Sequence, residues 1–326
     1  MFRRILLRIL GLIALIVTGA LAFLTLRSPN MRPAPSIRVD LTPERVARGR
    51  YLFAVDGCIA CHSISDQTRF GFPVVAGGLG KGQVMPGPGT IVAHNLTSDP
   101  DTGVARFTDG QLIRAIREGI GHDDRVLFPM MPYTEYREMS DDDVQSLVAF
   151  IRTLPPIHNP LPQTKVMFPV NLFIKSVPKV VESVPTVDRT DPKKYGAYLA
   201  KVSGCYFCHT PFENDQTVAS KAFSGGHVFE LGNHARVVTA NLTPDLETGL
   251  GKWTEEQFLA KFAEYKEYAE KGPPKIDLAH NTTMPWLELT QAPVEDLKAI
   301  FAYLRTVPAI SHAVVLHPDA PEEKKK

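Results

Sequence analysis

The chain has 326 residues and a formal net charge of +1, with 36 lysines and arginines against 35 aspartates and glutamates. That length suits two compact domains with extra segments, and the near-neutral balance, with no basic stripe, argues against nucleic acid as a partner. Without the four arginines of residues 1–27 the remainder carries −3, which says little about any other partner.

At the N-terminus Arg3, Arg4 and Arg8 precede a run, 9–26, that lacks any charge. This run reaches the lower end of the length needed to span a bilayer, and the positive flank places the N-terminus in the cytoplasm and the rest outside. Ala20-Leu21-Ala22 resembles the end of a cleaved signal peptide. The apolar stretch continues through Leu26, however, which favours an uncleaved anchor over 1–27, followed by a linker over 28–40.

Thr42-Pro43 combines an N-cap with proline at the first helical position, predicting a helix over 43–55. Cys58-Ile59-Ala60-Cys61-His62 follows, and then a Gly- and Pro-rich stretch, 71–90, that reads as loop. Leu112, Ile113 and Ile116 mark a helix over 108–119. A further helix opens at Ser140, with Asp143 completing an approximate capping box. It buries Val144, Leu147, Val148 and Ile151 and stops at Pro155-Pro156. These elements make a first domain over 41–157.

From Pro155 to Pro192 the chain is punctuated by prolines and therefore extended and semi-rigid. Residues 158–189 read as a strap packed across two domains, with a docking surface for a redox partner as the alternative. Asp191-Pro192 repeats the capping device before a helix over 192–203, and Cys205-Tyr206-Phe207-Cys208-His209 repeats the cysteine motif. Helices over 254–268 and from near Thr290 to Pro308 complete a second domain, 190–309. The tail 310–326 ends in a solvated Lys/Glu run. No alternating strand pattern appears, so the fold is expected to be mainly α with little sheet.

The two halves match in order throughout. Gly49 and Gly196 each stand nine residues before the first cysteine of their motif. Gly77-Gly78 pairs with Gly225-Gly226, and Asn95-Leu96-Thr97 with Asn241-Leu242-Thr243. Arg106-Phe107-Thr108 pairs with Lys252-Trp253-Thr254, and Met131-Pro132-Tyr133 with Met284-Pro285-Trp286. The 149–155 and 302–308 helix ends also match. This is a duplicated domain of about 115–120 residues, comfortable for one core.

Cys-x-x-Cys-His is the attachment signature of c-type haem. Cys58 and Cys61, and again Cys205 and Cys208, are spaced to add across the two vinyl groups of one porphyrin, and His62 and His209 are placed as proximal iron ligands. The motifs use all four cysteines. A zinc site would need both pairs to meet although they lie 147 residues apart. A thioredoxin-like pair needs no following histidine, and two plain disulfides are the remaining alternative.

The matched methionines, Met131 and Met284, each precede a proline that disfavours helical geometry. They are the expected sixth ligands, since thioether sulfur suits haem iron and raises its potential. Met130 is the neighbour that could substitute, while Met85, Met139 and Met167 read as packing residues. His94, His122, His158, His227, His234 and His280 read as surface or locally hydrogen-bonded, with His280 the first substitute for Met284. Phe107, Tyr133, Trp253 and Trp286 are expected in haem-pocket packing. Arg106 and Lys252 are either propionate partners or solvated.

On these motifs the chain resembles tandem class I cytochrome c domains. More narrowly, Asn-Leu-Thr-x-Asp…Thr-Gly, Met-Pro-Tyr and Phe168-Pro169-Val170-Asn171 resemble the multihaem cytochrome c subunits of bacterial membrane-bound alcohol, aldehyde and sugar-acid dehydrogenases. That subfamily typically has three haem domains, and this chain has two. The resemblance implies two covalently bound haem c groups with His62/Met131 and His209/Met284 as axial pairs, and electron transfer rather than catalysis. It further implies the bacterial inner membrane, haem domains facing the periplasm. The donor would be a periplasmic dehydrogenase or other redox protein, and the acceptor quinone or a terminal oxidase. A dihaem peroxidase with one reactive haem, or a subunit that mainly anchors a dehydrogenase, are the rival expectations.

Overall fold

A computed structural model describes residues 2–213 and 216–321; the Lys/Glu run at 322–326 lies outside them. Helix α1, Phe2–Leu26, buries none of its residues against the rest of the chain. Its 25 residues give a rod of about 37 Å, longer than the roughly 30 Å hydrocarbon core of a bilayer.

The first unit is built on α2 (Pro43–Val55), α3 (Cys58–His62), the strands β1 (Gln83–Met85) and β2 (Gly89–Ala93), α4 (Asp109–Glu118), α5 (Tyr133–Tyr136) and α6 (Asp141–Thr153). Thr42 accepts from the Arg45 amide with Pro43 in the first turn, as the capping signal predicts. Thr108 and Gln111 form a full capping box at α4. At α6 only half of the expected box forms: Ser140 accepts from the Asp143 amide, while the Asp143 carboxylate turns to Arg48 and Tyr198 instead. Leu52, Phe53, Leu112, Met139, Val144, Leu147, Val148 and Ile151 make the core of this unit.

The connecting segment forms a strap that touches both units and packs mainly along the first. Its short strand β3 (Lys165–Val166) extends the β1–β2 hairpin, and α7 (Val170–Phe173) follows. Farther on, the Val181 amide donates to Glu118, and Ser183 and Val184 bond Asp141. The strap therefore lies along the first unit, and only Val187 joins the second core.

The second unit comprises α8 (Pro192–Val202), α9 (Cys205–Cys208), the β4–β5 ribbon (Phe212–Glu213, Gln216–Thr217), the β6–β7 hairpin (Val228–Gly232, Ala235–Val238), α10 (Glu255–Ala263), α11 (Lys266–Lys271), α12 (Trp286–Leu289) and α13 (Val294–Leu304). Three details differ from the periodicity. The helix predicted over 254–268 divides between α10 and α11, where Tyr265 leaves the helical run to stack on Phe70 and Trp286. The last helix begins after Pro293 rather than near Thr290, whose hydroxyl donates backwards to the Leu287 carbonyl at the end of α12. Short hairpins also occupy stretches read as loop, including 83–85 within 71–90.

In each unit the first and last helices cross at a glycine. A Cβ on Gly49 would lie 1.8 Å from the Ser146 carbonyl oxygen, and one on Gly196 would lie 1.8 Å from that of Ala299. Only a residue without a side chain lets the two backbones approach so closely.

The two units meet through residues at matched positions of the repeat. Arg48 of α2 donates to Asp143 at 2.8 Å and to Asp296, the equivalent aspartate of α13, at 2.9 Å. Tyr198 donates to Asp143 at 2.7 Å and Tyr195 to Asp296 at 3.0 Å. Burial opposes charge on Asp143, but Arg48 and Tyr198 outweigh it and hold its pKa below the usual carboxylate range.

Candidate functional site

Each cysteine motif is launched by a glycine in the left-handed region, Gly57 at φ 83° and Gly204 at φ 72°, which turns the chain sharply between α2 and α3 and between α8 and α9. Within these short helices the two cysteines are three residues apart, so both thiols lie on one face. No disulfide joins the cysteines of either motif. Burial lifts the thiol pKa of Cys58, Cys61, Cys205 and Cys208. Among the described residues no three His, Cys, Asp or Glu side chains gather around a common ion position, so the cysteine pairs do not converge as a zinc tetrahedron would require.

The histidines are held alike. His62 Nδ1 donates to the His94 carbonyl at 2.7 Å, and His209 Nδ1 donates to the Ala240 carbonyl at 2.8 Å. This fixes each tautomer and leaves Nε2 with a lone pair for iron. Burial lowers the pKa of both rings against the opposing pull of those carbonyls, favouring the neutral, ligating form.

The carbonyls are the part that motif reading missed, and the signal was present in the Asn-Leu-Thr repeat. Asn95 donates to the Ile157 carbonyl at 2.8 Å and to Thr102 at 3.1 Å, and accepts from the Thr97 amide at 3.0 Å. Asn241 donates to Ile310 and Thr248 at 2.8 and 3.0 Å and accepts from the Thr243 amide at 2.9 Å. Both asparagines are buried. They clamp the loop whose preceding residue presents its carbonyl to the imidazole.

Met131 is half-buried against the same core that Cys58 borders, and Met284 against the core that Cys205 borders. The backbone around them is matched. The Tyr133 amide donates to the Met131 carbonyl at 2.8 Å and the Trp286 amide to that of Met284 at 2.7 Å. Met130 points outward, 39% exposed. Met139 is fully buried as expected, whereas Met167 is 53% exposed and not a packing residue.

The remaining candidates resolve individually. His94 and His122 stack on either side of Phe107, with centroids 5.5 and 3.9 Å away. His280 Nδ1 donates to Asp277 at 2.8 Å. His227 is buried rather than at the surface and fits the hydrogen-bonded reading: its Nδ1 donates to the Phe207 carbonyl at 3.2 Å, and its ring stacks on Phe212 and on Phe229. Arg106 pairs with Asp101 at 3.1 Å and Lys252 with Glu247 at 2.7 Å, both in solvent, which favours the solvated reading. The Tyr133 hydroxyl donates to the Leu127 carbonyl at 3.3 Å.

The two motifs also approach each other. Ser203 Oγ donates to Asp56 Oδ1 at 3.2 Å, and these residues are repeat equivalents. Val202 packs in the first core and Val55 in the second. Asp56 is buried, its Oδ2 has no protein partner, and desolvation, with Asp143 adding to it, raises its pKa well above the carboxylate range. Tyr136 donates to the Asp56 carbonyl.

Paired thiols on one helical face, an imidazole with free Nε2 and a thioether bordering the same core form a donor set that fits covalent haem with histidine and methionine ligation. Fold and site thus define an electron-transfer protein. Residues 46–155 match the cytochrome c family. A diheme cytochrome c-type protein of Cereibacter sphaeroides is 31% identical over 309 residues, spanning 92% of this chain and 97% of that protein. The fructose dehydrogenase cytochrome subunit of Gluconobacter japonicus is 30% identical across 90% of this chain, and the cytochrome c subunit of the quinone-type alcohol dehydrogenase of Gluconobacter oxydans is 29% identical across 83%. This chain spans only 59% and 56% of those two subunits. The chain belongs to the cytochrome c family, whose domain carries covalent haem c and transfers electrons.

Proposed function

We propose that the chain is a membrane-anchored, two-haem relay that passes single electrons from a dehydrogenase or another donor to the respiratory chain. Residues 41–157 and 190–309 are its two cytochrome c domains. In the first, Cys58 and Cys61 hold one haem, with His62 and Met131 on its iron. In the second, Cys205, Cys208, His209 and Met284 do the same. Haem iron supplies a one-electron couple, and the ligand pair keeps it closed to substrate while the surrounding core excludes water.

The observation that carries this reading is the abutment of the two motifs through Asp56 and Ser203. Two redox groups, each attached from two residues beyond a shared contact, favour transfer within the chain. The dehydrogenase names of the relatives supply the class of donor, and quinone or a terminal oxidase is the proposed acceptor. The length and apolarity of α1 support anchoring in the bacterial inner membrane, and Arg3, Arg4 and Arg8 on its N-terminal side support haem domains in the periplasm.

The test is haem stoichiometry and ligation in the purified full chain. Two haems per chain are expected, falling to one in Cys58→Ser/Cys61→Ser and likewise in Cys205→Ser/Cys208→Ser. A single haem in the unaltered chain, or a five-coordinate ferric haem in its spectra, overturns the reading.

A further inference from the structure

The segment just after β3 presents apolar side chains on opposite sides. Leu172 and Ile174 are buried at 6% and 8% exposure, whereas Met167, Phe168 and Phe173 stand out at 53%, 66% and 56%. A short element on a water-facing surface has no use for two aromatic rings and a thioether held in solvent.

Its position suggests what covers them. Helix α7 packs beside the last turns of α1, and Lys175 Nζ donates to the Thr25 carbonyl at 2.8 Å. Phe23 and Leu26 on that end of α1 are themselves 64% and 82% exposed. A residue bonded to the last turn of a spanning helix stands at the level where the chain leaves the membrane. The charge fits this level too: residues 161–181 contain Lys165, Lys175 and Lys179 and no acidic residue, and Arg27 flanks α1. Basic groups around exposed aromatics suit the boundary between anionic headgroups and acyl chains.

We propose that residues 165–177 are a second membrane contact, with Met167, Phe168 and Phe173 inserted at the lipid headgroup boundary beside the exit of α1. The inference rests on α1 spanning the bilayer. It adds that the body of the protein does not swing freely on a single helix. Because the strap lies along the first unit, a second point of attachment orients that unit, and through the Arg48–Asp143–Asp296 contact the other unit, relative to the membrane plane.

The test uses the full haem-loaded chain in nanodiscs of phosphatidylcholine and phosphatidylglycerol, with a nitroxide at one introduced cysteine at a time. Phe168→Cys and Phe173→Cys report the proposed contact, Leu15→Cys reports α1, and Leu246→Cys, at a site 60% exposed on the second unit, reports water. All four positions lie at exposed sites, and unchanged haem absorbance checks folding. At 168 and 173, as at 15, accessibility to oxygen is expected to exceed that to a water-soluble nickel chelate several-fold, with the order reversed at 246. If 168 and 173 follow 246 while 15 remains lipid-exposed, the second contact is overturned and the anchor stands. If 15 is aqueous as well, the spanning reading fails and the inference falls with it.

Discussion

At the scale of single residues the site depends on groups that hold other groups. The imidazoles of His62 and His209 are oriented by backbone carbonyls, and those carbonyls are oriented by Asn95 and Asn241. Asn95→Ala leaves the Thr97 amide and the Ile157 carbonyl without their buried partner, so the first unit is expected to lose about 2–3 kcal/mol, measured by urea unfolding followed at the haem band. Asn241→Ala should act alike on the second unit. For the proposed ligands, Met131→Ala should abolish the far-red sulfur-to-iron absorbance of one haem and lower its potential, because a thioether favours ferrous iron. Met130→Ala, at an exposed neighbour, should leave both unchanged, as redox titration with visible spectroscopy would show.

Among the secondary elements the decisive contact is the crossing of α2 with α6, repeated by α8 with α13. Helices carrying any side chain at that point are held apart by a clash with a carbonyl of the partner helix. Gly49→Ala and Gly196→Ala each force such a separation, for which overpacking costs of about 1–3 kcal/mol are usual. Calorimetry of the two variants should show a lowered transition, and the haem band of the matching unit should be the one perturbed. The crossing also seats the cysteine motif, since α3 and α9 begin a few residues after the end of α2 and α8.

Across the whole molecule, the two units are joined by a buried charged cluster rather than by apolar packing alone. The side chains of Arg48 and Asp143 are only 14% and 7% exposed, and removing one partner from such a pair costs on the order of 3 kcal/mol. The folded pKa of Asp143 lies below its usual value, so its contribution is fully present above about pH 4 and is lost as pH falls through the folded pKa. Asp143→Asn should therefore be less stable than the unaltered chain at neutral pH, and the difference should shrink below about pH 4. Unfolding measured across a pH series would check this. A gap that stayed constant with pH would assign the loss to packing instead of charge.

Much of this was legible along the chain because it is local. The capping of α2 and α8 depends on neighbours within one turn, and Cys-x-x-Cys-His carries its spacing within five residues. The duplication also made Asn95 and Met131 visible as matched positions. The division of α10 from α11 was hidden, because Tyr265 answers to Phe70 of the other unit, and the delayed start of α13 turned on a bond from Thr290 back to Leu287. By itself the sequence determined the spacing of the cysteine motifs and the order of helices, for these are set by covalent spacing and short-range hydrogen bonds. Tertiary structure alone decided that Asp56 meets Ser203, that Arg48 bridges two equivalent aspartates, and that the strap runs beside α1, because each joins residues that only packing brings together.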